Sequence, residues 1–238
     1  MKKLLFAVGL TALFISFGSF YKPEQGKDNQ LSKKEKKQGW ILLFDGSTLN
    51  GWRTYKNRES DGWAAINGEL VCKTDGVKKR ADLITAEMYD NFELSIDWKI
   101  APKKNSGIIY RSTEENGASY ESGPEYQLID DIGYPDKLSD KQLSGANYDM
   151  HAPLVKVSKP AGEYNTTKII VNNAHVEHWL NGSKVAEYEL WTPEWQAIKA
   201  QSKWRDVKPY GMSKAGHIAL QDHGGGVIFK NVKIRKLK

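Results

Sequence analysis

From Asn91 to Ile100 the chain alternates without a break: Phe92, Leu94, Ile96 and Trp98 fall on one side, Glu93, Ser95 and Asp97 on the other. A period of two over ten residues is the signature of a strand with one face buried and one face wet. Shorter runs of strand character recur at Trp40–Phe44, Trp63–Ile66, Glu69–Cys72, Ala81–Ala86, Ser106–Ser112, Glu125–Ile129, Lys168–Val171, Val176–Leu180 and Val185–Leu190. Asn67-Gly68 and Asn181-Gly182 sit between such runs, and Asn-Gly is the dipeptide a two-residue hairpin turn demands; Ser183 could lengthen the second turn. A single short helix fits Pro193–Lys203, with Thr192 as its N-cap and Pro193 at the first helical position. About a dozen short strands separated by turns predict an all-β chain folded as a two-sheet jelly-roll sandwich, with one short helix near the C-terminal part.

The first twenty residues stand apart. Met1-Lys2-Lys3 is basic, Leu4 to Phe17 is almost wholly apolar, and Gly18 and Ser19 are small. This is the layout of a secretory signal peptide over residues 1–20, too short to span a membrane comfortably. It predicts an exported protein, periplasmic or in the cell envelope, with no transmembrane segment once the signal is removed. Residues 21–38 read as a Lys-rich flexible linker, and 39–238 as one domain. Charge follows the same division. Eight of the 35 Lys and Arg and three of the 29 acids precede Gly39, leaving 27 basic against 26 acidic residues. The folded part therefore has no electrostatic reason to bind nucleic acid. Cys72 is the one cysteine, so no internal disulfide is available, and a lone Cys in a strand is expected to pack as a small hydrophobe.

Polar residues placed on strand faces mark candidate chemistry. In Gly216–Ile234 two strands flank a glycine-rich turn, and His217, Ala219, Gln221 and His223 share one face of the first. Imidazole titrates nearest neutrality, and Gly224–Gly226 would let a ligand approach closely, so His223 is the leading catalytic candidate and Gln221 a binding one. Its alternative is a turn residue bonded to backbone; His217 reads as peripheral. Glu125 and Gln127 share a face of their strand. A bulge near Ile129 would bring Asp130 beside Glu125, and two close carboxylates can divide acid and base roles. In Asn105–Arg111, Arg111 lies on the face of Gly107 and could clamp a carbonyl or hydroxyl oxygen; Asn105 and Tyr110 are further candidate contacts for a substrate. His178 lies between Val176 and Leu180 on one face, as either a core histidine or a rival base. A divalent cation on Glu125, Asp130 and a histidine is conceivable, although no recognised metal spacing is present, and no cofactor is expected. The irregular stretches 117–123 and 131–157 flank the Glu125 strand and could wall a cleft. Trp52, Trp63 and Trp98 are expected in the core, and Trp191, Trp195 and Trp204 at a rim.

Several segments in fixed order carry a resemblance: Gly39–Gly46 with Leu49–Trp52, Asn105–Ile108, Glu125–Asp130, Ser144–Ala146 with Tyr148-Asp149, Gly162–Asn165, Glu177–Gly182 and Leu220–Gly224. Together they resemble the 3-keto-disaccharide hydrolase domain family. The resemblance implies a sandwich of the concanavalin A-like lectin/glucanase type. Retaining glucanases of that fold carry Glu-x-Asp-x-x-Glu on a floor strand. Here Glu125-x-Gln127-x-x-Asp130 replaces the middle acid by an amide, which argues against ordinary two-carboxylate hydrolysis. The family route implied instead begins with a partner oxidoreductase that makes the 3-keto-sugar. A base then removes the C2 proton, the C1 group is eliminated, and water adds. On this reading His223 is the base with His178 as rival, Arg111 and Gln127 address the ketone, and Glu125 or Asp130 protonates the leaving oxygen. The competing expectations are a non-catalytic carbohydrate-binding, lectin-like module and a conventional glucanase-like glycoside hydrolase.

Overall fold

The computed structural model describes residues 27–237. The long alternating segment becomes the strand β6 (Phe92–Ile100) at the middle of a large antiparallel sheet. That sheet also contains β1 (Ile41–Leu42), β3 (Trp63–Ile66), β4 (Glu69–Cys72), β9 (Asn165–Asn172), β10 (His175–Leu180), β11 (Ser183–Glu189) and β13 (Val227–Lys236). Its order is β11-β10-β9-β6-β13-β4-β3, with β1 added on β13. A second sheet of five strands holds β2 (Trp52–Thr54), β5 (Leu83–Thr85), β7 (Asn105–Ser112), β8 (Glu125–Ile129) and β12 (His217–Leu220), in the order β2-β5-β12-β7-β8. The predicted two-sheet sandwich is thus present, and helix α2 (Pro193–Ala200) starts on the Thr192 cap, whose hydroxyl accepts from the Trp195 N–H at 3.1 Å.

The core lies between the sheets. Phe92, Leu94, Ile96 and Trp98 of β6 pack toward Ile108 and Tyr110 of β7, Tyr126 and Leu128 of β8, and Ile218 and Leu220 of β12, all fully buried. Each such side chain contributes about 1.5–3 kcal/mol of apolar transfer. Both Asn-Gly turns form. Asn67 and Gly68 have φ of 51° and 83°, Asn181 and Gly182 have 49° and 85°, and the flanking pairs Ile66/Glu69 and Leu180/Ser183 are in register. Ser183 therefore belongs to the strand and not to the turn.

Two expectations change. The strands around Gly224–Gly226 do not pair with each other, because β12 belongs to the small sheet and β13 to the large one. The three glycines carry the chain across the sandwich, all with positive φ, and at Gly225 any Cβ would overlap the Lys73 backbone. The stretch expected to be a flexible linker is, from Lys27 onward, seated on the large sheet. A short helix α1 (Lys33–Lys37) is closed by a Ser32/Glu35 capping box. Asn29 and Asn231 exchange N–H···Oδ1 bonds at 2.6 and 2.9 Å, Asn29 also donates to the Gly68 carbonyl, and Glu35 pairs with Lys233. The described lysines of this stretch stay exposed, and a few specific acid and amide anchors do the seating. The signal-peptide reading lies outside the described residues, among which no helix is long and apolar enough to cross a membrane. Cys72 is buried and free.

Candidate active site

The outer face of the small sheet is polar at one end. Glu125 and Gln127 of β8 point outward because Tyr126 and Leu128 take the core face. Opposite them on β7 the registered partners are Ile109 and Gly107. Gly107 leaves room for the Glu125 side chain to lie across the strand, since a Cβ there would come within 2.8 Å of the Glu125 Cδ. The outer edge of β8 is covered by the chain from Gly145 to Tyr148, through Gly145 N–H to Gln127 O (2.9 Å), Gln127 N–H to Ala146 O (3.1 Å) and Tyr148 N–H to Glu125 O (2.9 Å). This covering hides the strand edge and brings Tyr148 beside Glu125.

The result is a cavity of about 200 Å3 lined by Asn105, Tyr120, Glu125, Gln127, Tyr148, Lys203, Gln221 and His223. Five residues predicted for the site therefore meet there: Asn105, Glu125, Gln127, Gln221 and His223. Tyr120 and Tyr148 come from the two irregular stretches expected to wall a cleft. Lys203 follows α2. Its N–H donates to Asp149 Oδ2 at 2.6 Å, and its Nζ stands 3.9 Å from the Tyr148 ring centre and 4.2 Å from that of Trp204. The Trp204 indole in turn donates to the Tyr148 carbonyl at 3.0 Å. His223 is exposed at the mouth, on a turn held from both sides. Asp222 Oδ1 accepts from the N–H of Gly224 and Gly225 and from Arg80 Nη1 at 2.7 Å, and the Asp222 N–H donates to Asp82 Oδ1 at 2.9 Å.

Electrostatics divide the groups. Glu125 is buried, and that burial pushes its pKa up to about 8; the Asp82 carboxylate adds to the rise and Lys203 opposes it. A carboxyl in that range is largely protonated at neutral pH. Burial also lowers the Lys203 pKa, against the pull of Glu125 and Asp149.

Four predicted site residues lie elsewhere. His178 is wholly buried between the sheets, with both ring nitrogens engaged: Nδ1–H donates to the Gly145 carbonyl at 3.0 Å and Nε2 faces the Tyr110 hydroxyl at 2.9 Å. Burial holds its pKa down to about 3, so it is a neutral, fully occupied core histidine and not a base. Tyr110 is part of the same core network, with its hydroxyl also on Tyr188. Asp130 turns away from Glu125. The β7–β8 register runs without a bulge, and its carboxylate instead accepts from the N–H groups of Lys103, Ile132 and Gly133. Those bonds hold its pKa below the usual range against its burial. Arg111 adopts φ 54° at a bulge between β7 and β12, donates to the Asp90 carbonyl, and lies 5.6 Å from the Trp191 ring centre, away from the cavity. Trp195 and Trp204 are buried and not at the rim; they stack on Tyr210. With Asp130 committed to backbone, the Glu125–Asp130–His cation set does not assemble. Among the described residues the convergent His/acid group is His175, Glu177 and Glu187, on the large sheet.

Residues 39–235 match the family described as the 3-keto-alpha-glucoside-1,2-lyase-like domain. The chain belongs to that family. A 3-keto-disaccharide hydrolase of Bacteroides thetaiotaomicron is 35% identical over 228 residues, which covers 84% of this chain and 79% of the relative. The crystal structure of a candidate glycosyl hydrolase from Parabacteroides distasonis superposes with a TM-score of 0.84 at 38% identity, over 89% of this chain and all of that one. A second candidate glycosyl hydrolase of the same organism gives 0.63 at 25% identity, over 83% of this chain and 99% of the other. The 3-keto-glucoside lyase-like domain thus spans β1 to β13, and every residue lining the cavity lies inside it.

Proposed function

We propose that this protein is an exported hydrolase that cleaves the glycosidic bond of 3-keto-glycosides, including 3-keto-disaccharides, by C2 proton abstraction, elimination and hydration. That it is a carbohydrate hydrolase follows from its family and from its relative that hydrolyses 3-keto-disaccharides. One observation carries the finer reading: a buried carboxyl held largely protonated, an amine and an exposed imidazole face a single polar cavity walled by two tyrosines.

The chemistry assigns the roles. Oxidation at C3 makes the C2 proton acidic, so a positioned base suffices where an ordinary glycoside needs an oxocarbenium-like route. His223 at the mouth takes the C2 proton. Lys203 and Gln127 address the C3 carbonyl, where charge grows as the proton leaves. Glu125 has a proton to give and delivers it to the departing C1 oxygen. Asn105 and Gln221 bond sugar hydroxyls, and Tyr120 and Tyr148 flank the ring. The cavity is smaller than the ~300–1,000 Å3 pockets that enclose drug-sized ligands, so one sugar ring enters and the leaving group stays outside. A partner oxidoreductase supplies the ketone.

The test compares a 3-keto-glycoside with its unoxidised parent and follows aglycone release, with His223→Ala and Glu125→Ala alongside. Release from the keto form alone, lost in both variants, is expected. Cleavage of the parent would restore a conventional glycosidase, and saccharide binding without any release would make the domain a binding module.

A further inference from the structure

Within the site just proposed, Lys203 has no ordinary structural occupation. An exposed lysine ordinarily extends into water or pairs with a carboxylate; Lys203 is exposed, yet its amine is drawn over two aromatic rings and, among the described residues, joins no ion pair. Its backbone N–H is fixed by Asp149, and its Nζ lies over the Tyr148 and Trp204 rings. Its amine ends in the cavity that Glu125 also lines, with no direct ion pair closing the gap between them. Sequence and fold thus bring an amine and a proton donor to the lining of one cavity, which the proposed substrate enters with a ketone.

We propose that Lys203 condenses with the C3 carbonyl of the oxidised sugar, so that elimination proceeds through an iminium ion covalently attached to the enzyme. This inference rests on the 3-keto-sugar reading of the site. The neutral amine attacks C3 to give a carbinolamine. Glu125 protonates the carbinolamine hydroxyl, which departs as water and leaves N–H⁺=C3. His223 removes the C2 proton, and the C2–H electrons flow into the iminium to form an enamine. The Glu125 carboxylate is recharged with that proton and passes it to the C1 oxygen as the enamine expels the leaving group. Water adds across C1 and C2, and a further water hydrolyses the imine and frees the lysine. One water is released and two are taken up, so the net reaction is hydrolysis and no redox partner is required.

Two features favour a covalent over a purely electrostatic role. An iminium is a stronger electron sink than a hydrogen-bonded ketone, and amines that form one are those partly withdrawn from water. Burial lowers the Lys203 pKa and so raises the fraction of nucleophilic amine. The ring faces of Tyr148 and Trp204 attract a cation on the lysine nitrogen. The iminium keeps its positive charge on that same nitrogen, so these rings stabilise the intermediate as well as the resting ammonium.

The experiment uses the whole mature protein with a 3-keto-glycoside, its unoxidised parent, and sodium cyanoborohydride. Progressive inactivation with the keto form only, and a reduced sugar adduct mapped by peptide mass spectrometry to Lys203, is the expected result. Lys203→Arg keeps the charge but cannot form the imine; it should give no adduct and lose at least about a hundredfold in cleavage rate, with thermal unfolding confirming that it folds. Full turnover by the wild type without any adduct, or near-normal cleavage by Lys203→Arg, would overturn the covalent step while leaving 3-keto-glycoside hydrolysis in place. Absence of both adduct and cleavage with every keto-glycoside would overturn the underlying reading as well.

Discussion

Replacing Glu125 by Gln removes a charge the fold resists, and the size of the effect follows from the site. The carboxyl titrates at about 8 in the folded chain against an ordinary value of 4.5. Each unit of difference is worth about 1.4 kcal/mol, so the folded state disfavours the ionised form by on the order of 3–5 kcal/mol. Because the folded pKa is raised, the stability linked to Glu125 is fully present below pH 4.5. It declines as pH rises toward 8 and is constant above that. Glu125→Gln is isosteric and does not ionise, so the mutant should gain on the wild type across this window. For a chain of this size 1 kcal/mol is about 2–4 °C in Tm. The measurement is thermal unfolding of both proteins from pH 4.5 to 9, and the gap in Tm should widen by roughly 6–20 °C before it levels off. Parallel curves would mean that Glu125 ionises normally, and the proton donor of the proposed mechanism would be lost with it. Activity should move the opposite way: the wild-type rate should fall as pH passes about 8, and the mutant should be slow throughout.

Three further outcomes can be checked directly. Gly107→Ala should abolish cleavage while the protein still folds, because the new Cβ displaces the Glu125 side chain; a rate within about threefold of wild type, in the range where positioning effects are normally far larger, would refute the packing argument. His178→Ala should lower stability by about 2–4 kcal/mol through a cavity, an orphaned Gly145 carbonyl and a Tyr110 hydroxyl left with Tyr188 alone, leaving the shape of the pH–rate profile unchanged. Asn29→Ala should cost about 1–3 kcal/mol in denaturant unfolding, since it removes the side-chain bonds to Gly68 and Asn231 and leaves partners unpaired.

What the sequence disclosed followed from local rules. Periodicity in β6 and β8 fixed which side chains face the core, so Glu125 and Gln127 were found together on the outer face. The Asn-Gly turns set their own register. Most of the failures involve contacts between distant segments. Alternation placed His178 on an inward face, but only the opposite sheet reveals that Tyr110 and Gly145 already occupy its nitrogens. Arg111 lost its place on the Gly107 face to a bulge that no pattern in β7 announces. Asp130 was captured by the N–H groups of Ile132 and Gly133 in its own turn and of Lys103 in the loop before β7. Lys203 was read only as the end of a helix. Nothing within its own segment shows that the distant Asp149 and Tyr148 hold it over the cavity, although Tyr148-Asp149 stood among the segments that carry the resemblance. The linker was misjudged for a similar reason, since Asn29 finds its partner 202 positions away.

That last pairing bears on how the molecule is built. β13 lies between β6 and β4 in the middle of the large sheet, and its Asn231 is what holds Asn29. A chain emerging N-terminus first can form its hairpins early, but the sheet retains a gap at its centre until the last strand in chain order arrives. Neither the N-terminal strap nor the crossing that carries His223 can be seated before then. Assembly is therefore a closing step dominated by contacts distant in sequence, the kind that folds slowly. A partly synthesised chain presents two unfilled strand edges, on β6 and β4, that invite pairing with other chains.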